Sequence, residues 1–541
     1  MMLRGVLQAL FAPIALLLAL FAGGAPAQAR VDIAPYLEVQ QVLDAPLSSG
    51  GGEVLTYTTL AAGVDASVST RRAEVQISYR YERRIPWNND FGVDNVHSGL
   101  AQGRYQLVPN LLTIEGGALA TRARTDIRGG SPEFLIGDLQ NTSQVYAFYA
   151  GPSLATTLGD FNVNGSYRFG YVRAEDGANF SVPGGQPRLD RYDRATNHSL
   201  DGSIGMGSGV LPFGWTLSGG WTRENASQLS QRFDGKFARG DIVLPVSQTV
   251  ALTAGVGYEK IRQTQRDILR DADGNPVVDG NGRFVEDRTR PPLLAYDQDG
   301  LIYDAGVMWR PNRRTELQAK VGYRYGSTFV TGSFDYRVGR RTALNISVYN
   351  GIQSFGRQIV GSLSGLPTSF ETPGNPIQNP FAGCIVGSEQ GEGGCMNGAL
   401  QSVTTSNFRA SGVNLQLSGE RGLWTFQLGG GYARRKYISP IIANAFSLDG
   451  VVDENVYLMG NVDRRLTEMS GVSLTGYANW LSSSLPLASD RTTGGAALSY
   501  YHQFLDERLT AQATAALYST SVEDFEDYVN ASLLLGLRYT F

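Results

Sequence analysis

The sequence predicts an all-β chain: a single large transmembrane antiparallel β-barrel of about 22 strands, range 20–24. Three observations carry that expectation. Apolar and polar residues alternate with period two along stretches of nine to eleven residues; the last such stretch ends on an aromatic residue; and long connections alternate with short ones. Composition narrows the field in the same direction. Only 18% of the 541 residues are charged, against 66 glycines, 26 tyrosines and 23 phenylalanines, a palette that favours strands and turns. A net charge of −4 gives no electrostatic footprint for nucleic acid. Two cysteines and three histidines are too few for a metal-rich or disulfide-stapled scaffold. Mean hydropathy is −0.17, which does not fit a helical membrane bundle.

The first 29 residues read as a cleaved signal peptide: Arg4, an apolar run from Val6 to Gly24, then Ala27-Gln28-Ala29 as the small-x-small site. The mature chain is expected to start at Arg30, with residues 30–541 forming the barrel; a retained N-terminal membrane helix is the rival reading. No later segment is apolar enough for a spanning helix. Export by this route places the protein in the outer membrane of a Gram-negative bacterium.

The mature chain enters Ile33-Ala34-Pro35-Tyr36-Leu37-Glu38-Val39-Gln40 at once, already a strand, so the sequence predicts no N-terminal plug domain. In Arg72–Glu82 every odd position is apolar and every even one polar. Val250–Glu259, Leu317–Tyr325 and Trp424–Tyr432 repeat the scheme. A helix cannot produce that period, and the length suits a tilted strand crossing a bilayer. Tyr79, Tyr81, Tyr258, Tyr323, Tyr325, Tyr432 and Tyr539 fall near strand ends, as aromatic girdles require. In the final strand Val529, Ala531, Leu533, Leu535, Leu537, Tyr539 and Phe541 alternate with mostly small or polar residues. Tyr539 and Phe541 there resemble the C-terminal signal that outer-membrane barrels present to their assembly machinery.

External connections are predicted at about 44–52, 84–92, 125–140, 174–194, 224–231, 263–298, 326–329, 354–401, 437–452, 482–488 and 519–526, with tight turns between them. Eleven such loops give 22 strands, since bacterial barrels are even-numbered with both ends inside. A barrel of that size is too wide for its wall to fill. The two longest loops, 263–298 and 354–401, are the internal candidates for constricting it; a periplasmic partner is the other.

Cys384 and Cys395 lie in the longest loop, and an oxidising export route predicts a disulfide between them. Asp271-Ala272-Asp273-Gly274-Asn275 resembles the start of a calcium loop, but Pro276 and Gly282 occupy the two most diagnostic positions. A hairpin over Val277–Val285 fits better. His97-Ser98 and His198-Ser199 are the only base–hydroxyl neighbours, and adjacent strand residues face opposite ways. With no nucleophile, metal or cofactor motif, an enzyme is not expected. If the odd face of the third strand meets lipid, Arg72, Glu74, Arg80 and Glu82 line the lumen, as do Lys320 and Arg324. They serve either as a mutually paired brace or as a polar wall for a hydrated polymer.

Tyr36–Leu43, Val54–Ala66 and Val75–Arg84 resemble the outer-membrane barrels associated with the PEP-CTERM/exosortase system, found beside exopolysaccharide gene clusters. The likeness is strongest over residues 33–125. It implies a role in export or assembly of an extracellular polysaccharide, with outer-membrane lipid, the barrel assembly machinery, a polysaccharide and periplasmic export components as partners. It transfers no site residues. A general diffusion porin and a closed structural or adhesive scaffold are the alternatives.

Overall fold

The computed structural model describes residues 30–48, 53–88, 94–128, 134–137, 141–175, 189–339, 341–371, 375–441, 446–486, 488–523 and 527–541. The expected signal peptide, 1–29, lies outside the described residues. The strands are β1 (Arg30–Pro46), β2 (Leu55–Ser69), β3 (Ala73–Pro86), β4 (Asp94–Val108), β5 (Leu112–Arg124), β6 (Thr142–Leu158), β7 (Phe161–Glu175) and β8 (Arg194–Met206). They continue as β9 (Gly214–Ala226), β10 (Arg232–Pro245), β11 (Val250–Gln265), β12 (Leu293–Asn312), β13 (Thr315–Arg324), β14 (Ser327–Val338) and β15 (Thr342–Gln353). Between β15 and the next wall strand come α1 (Phe355–Ser364), a small hairpin of β16 (Cys384–Val386) and β17 (Gly393–Cys395), and α2 (Asn397–Leu400). The wall resumes with β18 (Asn407–Arg421), β19 (Trp424–Ile438), β20 (Val452–Thr467), β21 (Ser470–Ser483), β22 (Arg491–Phe504), β23 (Leu509–Val522) and β24 (Tyr528–Thr540).

Every wall strand pairs antiparallel with its sequence neighbour, and β1 also pairs with β24 from Tyr36↔Thr540 to Pro46↔Asn530. The sheet is therefore a closed ring of 22 strands. Closure satisfies every edge, the requirement for a sheet in lipid. The eleven connections predicted as external, ten long and one short, fall between strand ends at one rim. The other rim carries short turns such as 70–72, 109–111, 422–423 and 505–508. At the one short connection on the long-loop side, Tyr325 (φ 56°) and Gly326 (φ 72°) are both left-handed, the geometry of a two-residue hairpin turn.

Period two sorts the side chains. Leu37, Val39 and Leu43 of β1, Leu200 and Ile204 of β8, Leu252 and Val256 of β11, and Leu533, Leu535 and Leu537 of β24 are exposed on the outside. So continuous an apolar surface is not left to water; it is built for a bilayer. Aromatic residues bound it. Tyr105, Phe161, Trp309, Trp424, Tyr539 and Phe541 stand toward the short-turn rim, and Tyr79, Tyr81, Tyr171, Trp221 and Tyr258 toward the other. Tyr325 departs from the expected girdle. The turn directs its ring beside Arg324 and Arg409, at 4.6 and 5.8 Å, where it packs with Phe233, Ile261 and Ile352.

Candidate functional site

The candidate site is the lumen, and its content comes from the chain itself. The β15–β18 connection, one of the two long segments expected to constrict the channel, folds into the barrel and crosses it. Ser354 caps α1 by accepting the Arg357 N–H at 3.0 Å. Phe355, Ile359, Val360 and Leu363 then fall on one face and are buried against Leu119, Val145, Ala147, Tyr149 and Val172. At i, i+4, i+5 and i+8 that is a helical stripe, the signal by which the sequence could have revealed α1. Gly170 makes the approach possible: a Cβ there would meet the Val360 methyls at 2.8 Å. Arg357 pairs with Glu224 at 3.1 Å and lies 3.4 Å over the Phe233 ring. Gln102 holds the end of α1 by donating to the Leu363 carbonyl at 2.7 Å.

Beyond α1 the insert reaches the short-turn rim. Gln76 of β3 donates to the Phe370 carbonyl at 2.6 Å and accepts the Phe370 N–H at 2.9 Å, acting as a strand partner through its side chain. Gln390 reaches the Thr342 carbonyl at 2.7 Å, and Asn345 donates to the Gly391 carbonyl at 2.5 Å. Cys384 and Cys395 are bonded and directly paired in the β16–β17 hairpin, which packs against β18 and β19. The chain returns to the long-loop rim at α2. There buried Arg435 donates to the carbonyls of Ser402, Gly398 and Ala399 at 2.9, 2.8 and 2.9 Å. The insert is thus tied to the first strands and to the last, at both heights.

A second connection enters as well. In the β5–β6 segment Phe134, Leu135 and Ile136 are buried, Leu135 donates to the Ile377 carbonyl at 2.7 Å, and Arg84 reaches the Leu135 carbonyl at 2.6 Å. The segment expected as an external connection over 125–140 thus carries an apolar triplet that enters the lumen. The other long connection, 263–298, stays at the rim. It forms a hairpin through Val278↔Phe284, with Gly282 left-handed (φ 77°), and docks through Phe284, whose N–H donates to Asp190 at 2.8 Å. Burial pushes the Asp190 carboxyl up to about 6, against the opposing effect of that hydrogen bond. In Asp271-Ala272-Asp273-Gly274-Asn275 the Asp271 carboxylate accepts the N–H groups of Asp273 and Asn275. It organises a turn.

The charges expected on the lumen wall are joined in networks. Arg80 pairs with Glu38 at 3.4 Å and with Glu82, and Arg84 meets Glu82 at 2.7 Å. Glu74 pairs with Arg104 at 2.7 Å. Lys320 lies 3.7 Å from Asp304 and 3.8 Å from Asp241, which Arg239 also bridges, and Arg324 donates to Glu259 at 2.9 Å. Arg72 is the correction: β3 begins at Ala73, so Arg72 stands exposed in the 70–72 turn and is not part of the wall. His97 and His198 face outward, hydrogen-bonded to Tyr79 and Tyr167 at 2.7 and 2.8 Å, while Ser98 is buried on the opposite face.

Cavities flank the insert at successive heights. One of about 310 Å³ lies at the long-loop rim among Asp126, Arg128, Tyr192, Thr404 and Tyr437. Another, about 240 Å³, is lined by Arg357 and Val360 of α1 together with Asn197, Phe233, Glu259, Arg324 and Tyr325. A third, about 180 Å³, opens at the short-turn rim between 386–390 and Arg341, Glu420 and Gln427. Asn197 in the second is buried, with neither amide atom hydrogen-bonded. Among the described residues no group of three or more His, Cys, Asp or Glu is arranged to hold a metal.

Fold and lumen together define a class: a closed antiparallel barrel with two of its own connections folded into the lumen. No protein-family model matches the chain, and no curated protein matches it. Among solved structures it is similar to the FrpB iron transporter from Neisseria meningitidis, F5-1 variant (11% identity, TM-score 0.46, 94% of this chain and 83% of that one). It is likewise similar to the ferric-catecholate import receptor Fiu from E. coli K12, closed form (11%, 0.45, 94% and 81%), and to the siderophore receptor PirA from Acinetobacter baumannii (9%, 0.41, 95% and 81%). At these TM-scores the likeness carries no argument; the architecture rests on the strand pairing itself.

Proposed function

We propose that the chain is an outer-membrane barrel of a Gram-negative bacterium that serves export or assembly of an extracellular polysaccharide linked to a PEP-CTERM/exosortase system. The observation that carries this reading is the lumen. Its cavities set amides, hydroxyls, charges and aromatic rings beside apolar side chains, Ile127, Leu189, Leu448 and Leu485 in one and Phe237, Ile261, Ile352 and Val360 in another; aromatic faces flanked by hydrogen-bonding groups suit the mixed apolar and hydroxyl-bearing surface of a sugar polymer. The resemblance over residues 33–125 supports the polysaccharide assignment, and the apolar outer band supports the membrane. No enzymatic step, cofactor or nucleic acid enters the proposal. Its partners are outer-membrane lipid, the assembly machinery that would read Tyr539 and Phe541, the polymer and periplasmic export components.

The insert favours a second reading. Bonds from β3, β4, β15 and β19 hold it at both rims, as a sealed scaffold displaying its loops would require. Planar-bilayer conductance, with and without polysaccharide from the same cells, separates the two. A polysaccharide-dependent current supports the conduit; a barrel silent in both conditions, from a strain whose deletion leaves surface polysaccharide and permeability unchanged, supports the scaffold. A large ungated current from cross-linkable trimers would instead indicate a diffusion porin.

A further inference from the structure

The outer face carries a second pattern, just beyond the aromatic girdle at the long-loop rim. In five strands that run toward this rim an outward aromatic residue is followed two positions later, on the same face, by an outward cation. The pairs are Tyr81 and Arg83, Tyr171 and Arg173, Trp221 and Arg223, Tyr258 and Lys260, and Tyr432 and Arg434. Period two places each cation one step farther from the apolar band than its ring.

From β7 to β11 the cations are crowded. Arg173 is directly opposite Arg194, and Lys236 directly opposite Lys260. All four side chains are more than half exposed, at 53, 62, 64 and 60%. Like charges in direct cross-strand register destabilise a sheet. Nearby acids neutralise them unevenly. Asp299 is 2.9 Å from Lys260 and Glu175 is 3.3 Å from Arg173, but Asp193 and Asp234 approach Arg194 and Lys236 only to 3.8 Å. Arg223 and Arg262, on the same face, stand opposite Asp234, and Arg262 also opposite Asp297, without an ion pair within 4.0 Å among the described residues, and the Arg223 Nε has no hydrogen-bond partner. The register rises by rows from Lys260 to Arg173, and the girdle rises with it, from Tyr258 to Tyr171. Strands tilted by about 35–45° bring such a sloping series into one level of the membrane.

We propose that this collar binds the phosphates of an outer-leaflet phosphorylated glycolipid, whose acyl chains lie on the apolar band below. Phosphate oxygens between Arg173 and Arg194, and between Lys236 and Lys260, convert two repulsive pairs into charge-assisted contacts. Trp221 and Tyr258 lie at the depth of the sugar–acyl boundary. The inference rests on the outer-membrane reading but not on what passes through the lumen.

The test uses the whole barrel in neutral detergent micelles. Thermal unfolding and native mass spectrometry are followed on adding a diphosphorylated hexaacyl glycolipid, the same lipid with its phosphates removed, or a zwitterionic phospholipid. Wild type is expected to retain the phosphorylated lipid and unfold at a higher temperature with it. Exchanging all four residues (R173Q, R194Q, K236Q and K260Q) is expected to weaken retention by about tenfold or more. Native folding of the variant is checked by heat-modifiable gel mobility; if it fails to fold, the R173Q/R194Q and K236Q/K260Q pairs are measured separately, each with a partial loss. Equal retention of phosphorylated and dephosphorylated glycolipid by wild type, or undiminished retention by the variants, overturns the proposal while leaving the membrane reading intact. A barrel that binds none of the three lipids overturns both.

Discussion

Arg435 shows how much of the lumen depends on single side chains. Its guanidinium is buried and satisfies three carbonyls of the returning insert while lying 4.6 Å over the Phe408 ring. In R435A those carbonyls lose their donor, at about 1–3 kcal/mol for each buried group left unpaired. Faster amide exchange across 397–406, with the barrel still folded, is the expected result. Gly170 is the opposite case, a place where adding atoms does the damage. G170V would force the Val360 contact apart at about 1–3 kcal/mol, and it should raise proteolysis of the insert while leaving gel mobility unchanged. Asp190 makes rim docking pH-dependent. Its folded pKa, near 6, lies above the unfolded value of 3.8, so the stabilisation is complete below pH 3.8 and is lost as pH rises through 6. Exchange protection of the Phe284 amide should therefore fall between pH 4 and 7 in wild type and stay level in D190N.

Among the elements, the wall was the legible part. Period two, the long and short connections and the positions of the strands all follow from burying one face in an apolar phase, a constraint that repeats every other residue. The insert was harder to read because its partners are remote: Gln76 meets Phe370 across 294 positions and Gln102 meets Leu363 across 261. No local period encodes such contacts. Length alone marks 354–401 as a candidate constriction, whereas the helical stripe of α1 and the triplet Phe134-Leu135-Ile136 are short apolar signals inside long connections. Arg72 and Tyr325 were misplaced for another reason, since each sits where a strand gives way to a turn and alternation stops. At this scale the β16–β17 hairpin offers a clear test. Reducing the Cys384–Cys395 bond removes a loop closure worth about 2–3 kcal/mol. Protease cleavage within 384–395 should accelerate and bilayer current should increase, whereas the strands stay protected.

For the whole molecule, the seam between first and last strands decides whether a ring exists. Asp44 of β1, buried, accepts from Tyr518 of β23 at 2.9 Å and from Asn530 of β24 at 3.1 Å, and also from Ser532. D44L leaves three donors without that acceptor beside the closing pairs, at a cost of about 1–3 kcal/mol for each one stranded. The temperature at which the barrel loses its compact gel mobility should drop, and N530L, which removes a donor and leaves the carboxylate its others, should lower it less. The place of the insert in the chain also divides the wall it meets. The insert follows β5–β8, on which α1 rests, and precedes β18 and β19, against which the β16–β17 hairpin packs. It therefore spans between an early part of the wall and a later one. The insert is an internal tie across a ring whose circumference the strand pairing sets and which closes beside Asp44.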